Sequence, residues 1–157
     1  MLAIVDANYK FLWVDIGGRG SNSDAQIFNH SELKECLLHD SIGLPDPAVL
    51  PNDIGDELPY YLVGDDAFAL SEFMMKPFSR RSMELEERVF NYCLPRARRV
   101  VENAFGILAN RWQIILNTMY HEPAVYRKLV ETCVILHNYL RTLFPGVHHQ
   151  QLDREDR

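Results

Sequence analysis

Apolar residues form two short continuous runs near the start of the chain and fall at helical spacing towards its end. The stretch LAIVDANYKFLWVDIGG, residues 2–18, holds two short runs rich in β-branched and aromatic residues. They predict two strands joined by a turn at Ala7-Asn8-Tyr9-Lys10, with Asn8 favouring the turn. GGRGSNSD then reads as a glycine-rich loop, after which Asp24 or Ser23 is placed to cap a helix through AQIFNHSELKECLLHD. Its apolar stripe, Ile27, Leu33, Leu37 and Leu38, is broken. Residues 43–59 carry four of the eight prolines and several acids, the composition of an exposed irregular connection. YYLV at 60–63 predicts a third strand that stops at Gly64-Asp65-Asp66, and a short helix or turn follows from Ala67 to Met75.

Helical spacing dominates the remainder. SMELEERVFNYCL starts a helix at Ser82 with its acids early, as the helix dipole prefers, and Pro95 is expected to interrupt it and open a new one. In that second helix Val101, Ala104, Phe105, Leu108, Trp112 and Ile115 share one face. A last helix is expected from about Pro123 to Leu143, with Val125, Leu129, Cys133, Leu136, Leu140 and Leu143 as its stripe and Pro145-Gly146 as its stop. A polar tail over 145–157 follows. Strands first, one strand between helices, then helices describe a mixed α/β sheet domain with helices packed on it.

The 157 residues suffice for one domain with a real core, and 47% hydrophobic with 24% charged is ordinary for a globular chain. No apolar run approaches the ~20 residues of a membrane helix, and the amino terminus does not resemble a signal peptide. Three widely spaced cysteines (Cys36, Cys93, Cys133) favour a reducing compartment over a disulfide framework. The net charge of −6 argues against general affinity for nucleic acid. Its distribution changes that picture. Residues 76–99 hold seven bases against three acids, a local surplus of four on an otherwise acidic chain, which suits either a confined polyanion contact or a solvated, internally paired helix face.

Two carboxylates stand out. Glu102 follows two valines on the shoulder of the second helix's apolar stripe, with Arg98 and Arg99 one turn before it and Gly106 and Ala109 after it. On spacing alone the simpler reading is an intrahelical pair with an arginine; the other is a carboxylate presented beside open space. Asp65 ends the third strand, where sheet proteins place their sites, although a turn-capping role is equally in character. Two carboxylates from different elements are suited to Mg²⁺ or Mn²⁺, which prefer oxygen ligands. Cys133 and His137 are spaced i, i+4, but without two further ligands a core role is the better reading. His148 and His149 in the tail carry no argument. No GxGxxG, P-loop or GxSxG is present, which excludes the usual nucleotide-cradling and acyl-hydrolase patterns.

Three stretches, SNSDAQIFNHSEL, YYLVGDDAF…MMKPF and FNYCLPRARRVVENAFGILANRW, together resemble the DDE nuclease domain of PIF/Harbinger transposases and the Harbinger transposase-derived nucleases. The resemblance runs from residue 1 to about 140, with a domain over 1–144. It implies a ribonuclease H-like fold, a central mixed sheet with flanking helices, and a site of Asp, Asp and Glu holding two divalent ions, Mg²⁺ or Mn²⁺. Matched position by position, the second Asp is Asp65 and the Glu is Glu102, making both catalytic and metal-ligating residues by resemblance. The implied reaction is cleavage of DNA phosphodiesters, with Arg96, Arg98 and Arg99 near the DNA backbone. The implied setting is the nucleus, with a separate Myb-like DNA-binding partner and self-association as further expectations and no membrane role.

In this family the first Asp lies on a strand upstream of the VDANYKF hairpin, so that strand and its Asp are expected to be missing here. Asp6 and Asp15 match hairpin positions instead, and Asp24 matches an acidic loop residue. The resulting expectation is a nuclease domain impaired by truncation. The alternative is a domesticated, non-catalytic module that keeps the scaffold for binding DNA or protein.

Overall fold

The computed structural model describes residues 1–18, 21–117 and 122–145. The elements in chain order are β1 (Leu2–Val5), β2 (Phe11–Asp15), α1 (Asp24–Asn29), α2 (Glu32–Leu38), β3 (Leu62–Val63), β4 (Met74–Met75), α3 (Leu85–Arg111), a 3-10 turn (Gln113–Leu116) and α4 (Pro123–Leu143). The chain divides into two units. One combines Met1–Gly18 with the chain from Arg99 onward, and the other is Arg19–Arg98.

In the first unit β1 and β2 pair antiparallel, Leu2 opposite Asp15 and Ala3 opposite Val14, with an irregularity between Ile4 and Val5. The connecting turn is built by Asp6, whose Oδ1 accepts the amides of Asn8 and Lys10, each at 2.9 Å. The turn falls where the sequence placed it, and its left-handed residue is Tyr9 (φ 63°). Tyr9 is held there from outside the hairpin. The His137 ring Nε2 lies 2.7 Å from its carbonyl oxygen, and the Arg141 guanidinium lies 5.2 Å from its ring centroid. Arg141 Nε donates to the Asn8 carbonyl at 2.9 Å. Asn138 makes a reciprocal pair with the Phe11 backbone, accepting its amide at 2.9 Å and donating to its carbonyl at 2.8 Å. One turn and a half of α4 therefore grips the hairpin through backbone groups.

That grip rotates α4. Its buried residues are Val130, Cys133, Val134, His137 and Arg141, whereas Val125, Leu136 and Leu143 of the expected stripe are exposed. The apolar pattern could not report this, because two of the buried side chains, His137 and Arg141, are polar and each bonds to a hairpin carbonyl. Under the hairpin, Phe11, Ala104, Leu108, Cys133 and Val134 form the core, with Phe105, Trp112 and Ile115 packed against it, much as the α3 spacing predicted. Burial pushes the Cys133 thiol up from its ordinary value, and Cys133 and His137 serve the core, as expected. Burial, and next the nearby Arg141 charge, lower the Arg111 guanidinium.

In the second unit the expected single helix is two. Ser23 caps α1 in a reciprocal capping box with Gln26, and Ser31 accepts the Lys34 amide to cap α2. The Ser31 hydroxyl also donates to the Phe28 carbonyl at 2.7 Å, closing the first helix as it opens the second. Residues 43–59 form an irregular connection, pinched by mutual backbone bonds between Ala48 and Leu58. The third strand is shorter than expected; turns occupy much of the span read as a helix or turn over Ala67–Met75, and its last two residues form β4, which pairs parallel with β3.

The longest correction concerns Pro95. The helix does not break there: α3 continues through it for 27 residues. A proline removes one amide donor and its ring crowds the preceding turn. Pro95 lies on an exposed part of the helix, where solvent can receive the freed carbonyl. Among the described residues the strands form two two-stranded sheets, one in each unit. The polar tail lies outside the described residues from 146 onward.

Candidate functional site

Asp65 is set by the glycine before it. Gly64 is buried at the end of β3, and its amide donates to the Met75 carbonyl at 2.8 Å. A Cβ at Gly64 would stand 2.9 Å from Met74 Sδ and 3.0 Å from the Phe68 ring, closer than side chains pack. Phe68 in turn lies edge-on to Phe28 of α1, centroids 5.7 Å apart. The backbone therefore passes tightly over an aromatic contact and delivers Asp65 into a turn, where the Phe68 amide donates to its carbonyl at 3.2 Å.

Both Asp65 carboxylate oxygens are engaged. Oδ1 accepts the Ala67 amide at 2.9 Å, so the turn-capping role read from the sequence is real. Oδ2 lies 3.7 Å from Arg98 Nη2 of α3, and the Asp65 side chain is 40% exposed. Asp66 is engaged in the same manner. Lys76 Nζ lies 3.1 Å from its Oδ1 and donates to its backbone carbonyl at 3.1 Å. Two adjacent carboxylates are thus each neutralised by a base from the 76–99 segment.

This changes the account of the basic segment. Lys76 and Arg98 are spent on Asp66 and Asp65, and Arg80 pairs with Glu87 at 3.1 Å. Arg81, Arg88, Arg96 and Arg99 are exposed, and among the described residues no carboxylate lies within ion-pair distance of them. The Arg96 guanidinium lies over the Tyr92 ring, 5.6 Å from its centroid. The sequence grouped Arg96, Arg98 and Arg99 together, and the structure separates Arg98 from the other two.

Glu102 is exposed on α3. The intrahelical pair suggested by its spacing is not made: among the described residues no cation reaches it, and Arg98 turns to Asp65 instead. One turn on, a Cβ at Gly106 would meet nothing within 4 Å, so the space inferred beside Glu102 is open. Asp65 and Glu102 belong to different units, and their convergence is an expectation of the family resemblance. Asp6 is committed to the hairpin turn.

Among the described residues no three His, Cys, Asp or Glu side chains group as metal ligands do. The donor chemistry at Asp65 nonetheless fits a hard cation. Carboxylate oxygens are the ligands Mg²⁺ and Mn²⁺ prefer, and a guanidinium already stands in for positive charge at Oδ2. No helix among the described residues is long and apolar enough to cross a membrane.

Sequence comparison agrees with this picture in outline. Residues 1–138 match the model of the DDE superfamily endonucleases, a superfamily that generally uses divalent metal ions. The chain is 29% identical over 140 residues to a "Protein ALP1-like" of Arabidopsis thaliana, an alignment covering 88% of this chain and 34% of that protein. It thus spans about a third of that relative's length. No solved structure matches. With the match extending from the hairpin through most of α4, the chain belongs to the DDE superfamily endonuclease family.

Proposed function

We propose that this chain is the nuclease domain of a Harbinger-type, transposase-derived DDE endonuclease with a ribonuclease H-like arrangement. In this reading Asp65 and Glu102 converge to hold Mg²⁺ or Mn²⁺, and the domain cleaves DNA phosphodiesters in the nucleus. The observation that carries the reading is Asp65: a carboxylate set just after β3 by a glycine closely packed against Met74 and Phe68, with a positive group at its outer oxygen. A pair of bound divalent ions would supply an activated water and a stabilised leaving oxygen. The protein's own part is to orient carboxylates and to meet the DNA backbone with Arg96 and Arg99. A Myb-like DNA-binding partner and self-association belong to the same proposal.

A second reading, a non-catalytic module that binds DNA or protein on the same scaffold, draws on Asp6. Its carboxylate serves two turn amides and is not offered as a further ligand. Plasmid nicking with Mg²⁺ and Mn²⁺, run beside Mn²⁺ binding, separates the two. The nuclease reading expects nicking that Asp65→Asn and Glu102→Gln each abolish, with weakened Mn²⁺ binding in both variants. DNA binding with no nicking, and Mn²⁺ binding indifferent to both substitutions, would establish the module reading instead.

A further inference from the structure

We propose that Arg98 is a gate on Asp65: its guanidinium stands at the carboxylate and moves from it to a DNA phosphate when a divalent cation binds there. The inference rests on the nuclease reading above and assigns Arg98 a role different from that of Arg96 and Arg99.

The geometry sets the terms. Asp65 has one oxygen tied to the Ala67 amide, so its orientation is held by the turn whether or not Arg98 is present. The other oxygen is the free valence, and Arg98 takes it from 3.7 Å, a loose and single-pronged contact. Arginine bound tightly to a carboxylate usually makes two parallel bonds at well under 3 Å. Here one Nη approaches one oxygen, and both side chains retain solvent access, 31% for Arg98 and 40% for Asp65. Such a pair is worth little, and a divalent ion carrying twice the charge competes with it readily. Arg98 is therefore strong enough to neutralise Asp65 and too weak to block it.

The neighbouring pair shows why Arg98, and not Lys76, is the gate. Lys76 is anchored twice, to the Asp66 carboxylate and to the Asp66 backbone carbonyl, and it keeps the second contact whatever happens at the carboxylate. Among the described residues Arg98 has no such second anchor. Once displaced, its guanidinium is a free, planar donor on the same helix as Arg96 and Arg99, suited to phosphate. Binding of metal and of DNA then become linked through one side chain. Each must strengthen the other by the same factor.

The test is a Mn²⁺ titration followed by electron paramagnetic resonance on the 157-residue chain, with Arg98→Ala, Arg98→Gln, Arg98→Lys and Asp65→Asn beside it, each checked for native circular dichroism. Removing the competitor should tighten Mn²⁺ binding about two- to fivefold in both Arg98→Ala and Arg98→Gln, the range expected for an exposed ion pair. Arg98→Lys should lie near the parent chain. Adding a short DNA duplex should tighten Mn²⁺ binding by the parent chain and do so less for Arg98→Ala. If Asp65→Asn weakens Mn²⁺ binding while both Arg98 variants bind as the parent does, Asp65 is a ligand and the gate is refuted. If Asp65→Asn leaves Mn²⁺ binding unchanged, the nuclease reading fails at its first ligand, and the gate fails with it.

Discussion

At the scale of single residues, the candidate site depends on a side chain that is absent. Gly64 lets β3 pass close to Met74 and Phe68 before the chain turns into Asp65, and its role is steric. Gly64→Ala would force the Met74 thioether or the Phe68 ring to give way, and Phe68 is braced by Phe28. Crowding of this kind costs about 1–3 kcal/mol. The expected outcome is a lowered urea midpoint with an unchanged slope, together with weaker Mn²⁺ binding because Asp65 shifts with its backbone. An unchanged midpoint would mean that Met74 moves aside freely. The placement of Asp65 just after a strand and of Glu102 on a helix was legible in the sequence as pattern. The Arg98–Asp65 contact was not, since it joins residues 33 positions apart and spacing points Arg98 at Glu102.

At the scale of elements, each unit uses an asparagine on a long helix to clamp the backbone of a phenylalanine with two hydrogen bonds. Asn138 of α4 holds Phe11, and Asn91 of α3 holds Phe78, with all four bonds at 2.8–2.9 Å. The bonds are alike and their surroundings differ. Phe11 is in the core, 5% exposed, whereas Phe78 is 42% exposed. Removing a partner is costly chiefly when the stranded group cannot reach water, about 1–3 kcal/mol for each buried group. Asn138→Ala should therefore destabilise the protein by at least about 2 kcal/mol and Asn91→Ala by under about 1 kcal/mol in chemical unfolding. Equal losses would show that burial does not set the cost. These clamps explain where sequence reading stopped. The limits of α4 were read closely from Pro123 and Pro145, and Leu129 and Cys133 of its stripe do meet the core, yet Val125, Leu136 and Leu143 do not, because the buried face turns towards His137, Asn138 and Arg141, which work through carbonyls and amides that carry no sequence signature. Pro95 misled for a related reason: a proline announces a lost donor, and whether the helix survives depends on what faces that spot.

At the scale of the whole molecule, charge decides what the chain can meet. Four arginines, Arg81, Arg88, Arg96 and Arg99, are exposed and clear of carboxylates among the described residues. If each neutralises one phosphate, the slope of log affinity against log salt is no steeper than about −4 without divalent metal. Replacing Arg96 and Arg99 by Ala should flatten that slope by about 2, while Arg98→Ala should leave it unchanged until metal is added. Fluorescence anisotropy on a labelled duplex over a salt series measures both effects. A slope indifferent to Arg96 and Arg99 would move the DNA surface elsewhere.

The grip of α4 on the β1–β2 turn also has a consequence in time. The Arg141–Asn8 contact spans 133 positions, and those from Asn138 and His137 span 127 and 128. A ribosome adding 5–20 residues each second completes the hairpin roughly 7–27 s before it makes the helix that holds it. During that interval the hairpin must wait as a two-stranded ribbon, marginal by itself in water. Its open backbone edges and the Phe11 ring are then available to any other nascent strand. For this fold a helix made later, α4, is what ends the vulnerability of a hairpin made earlier.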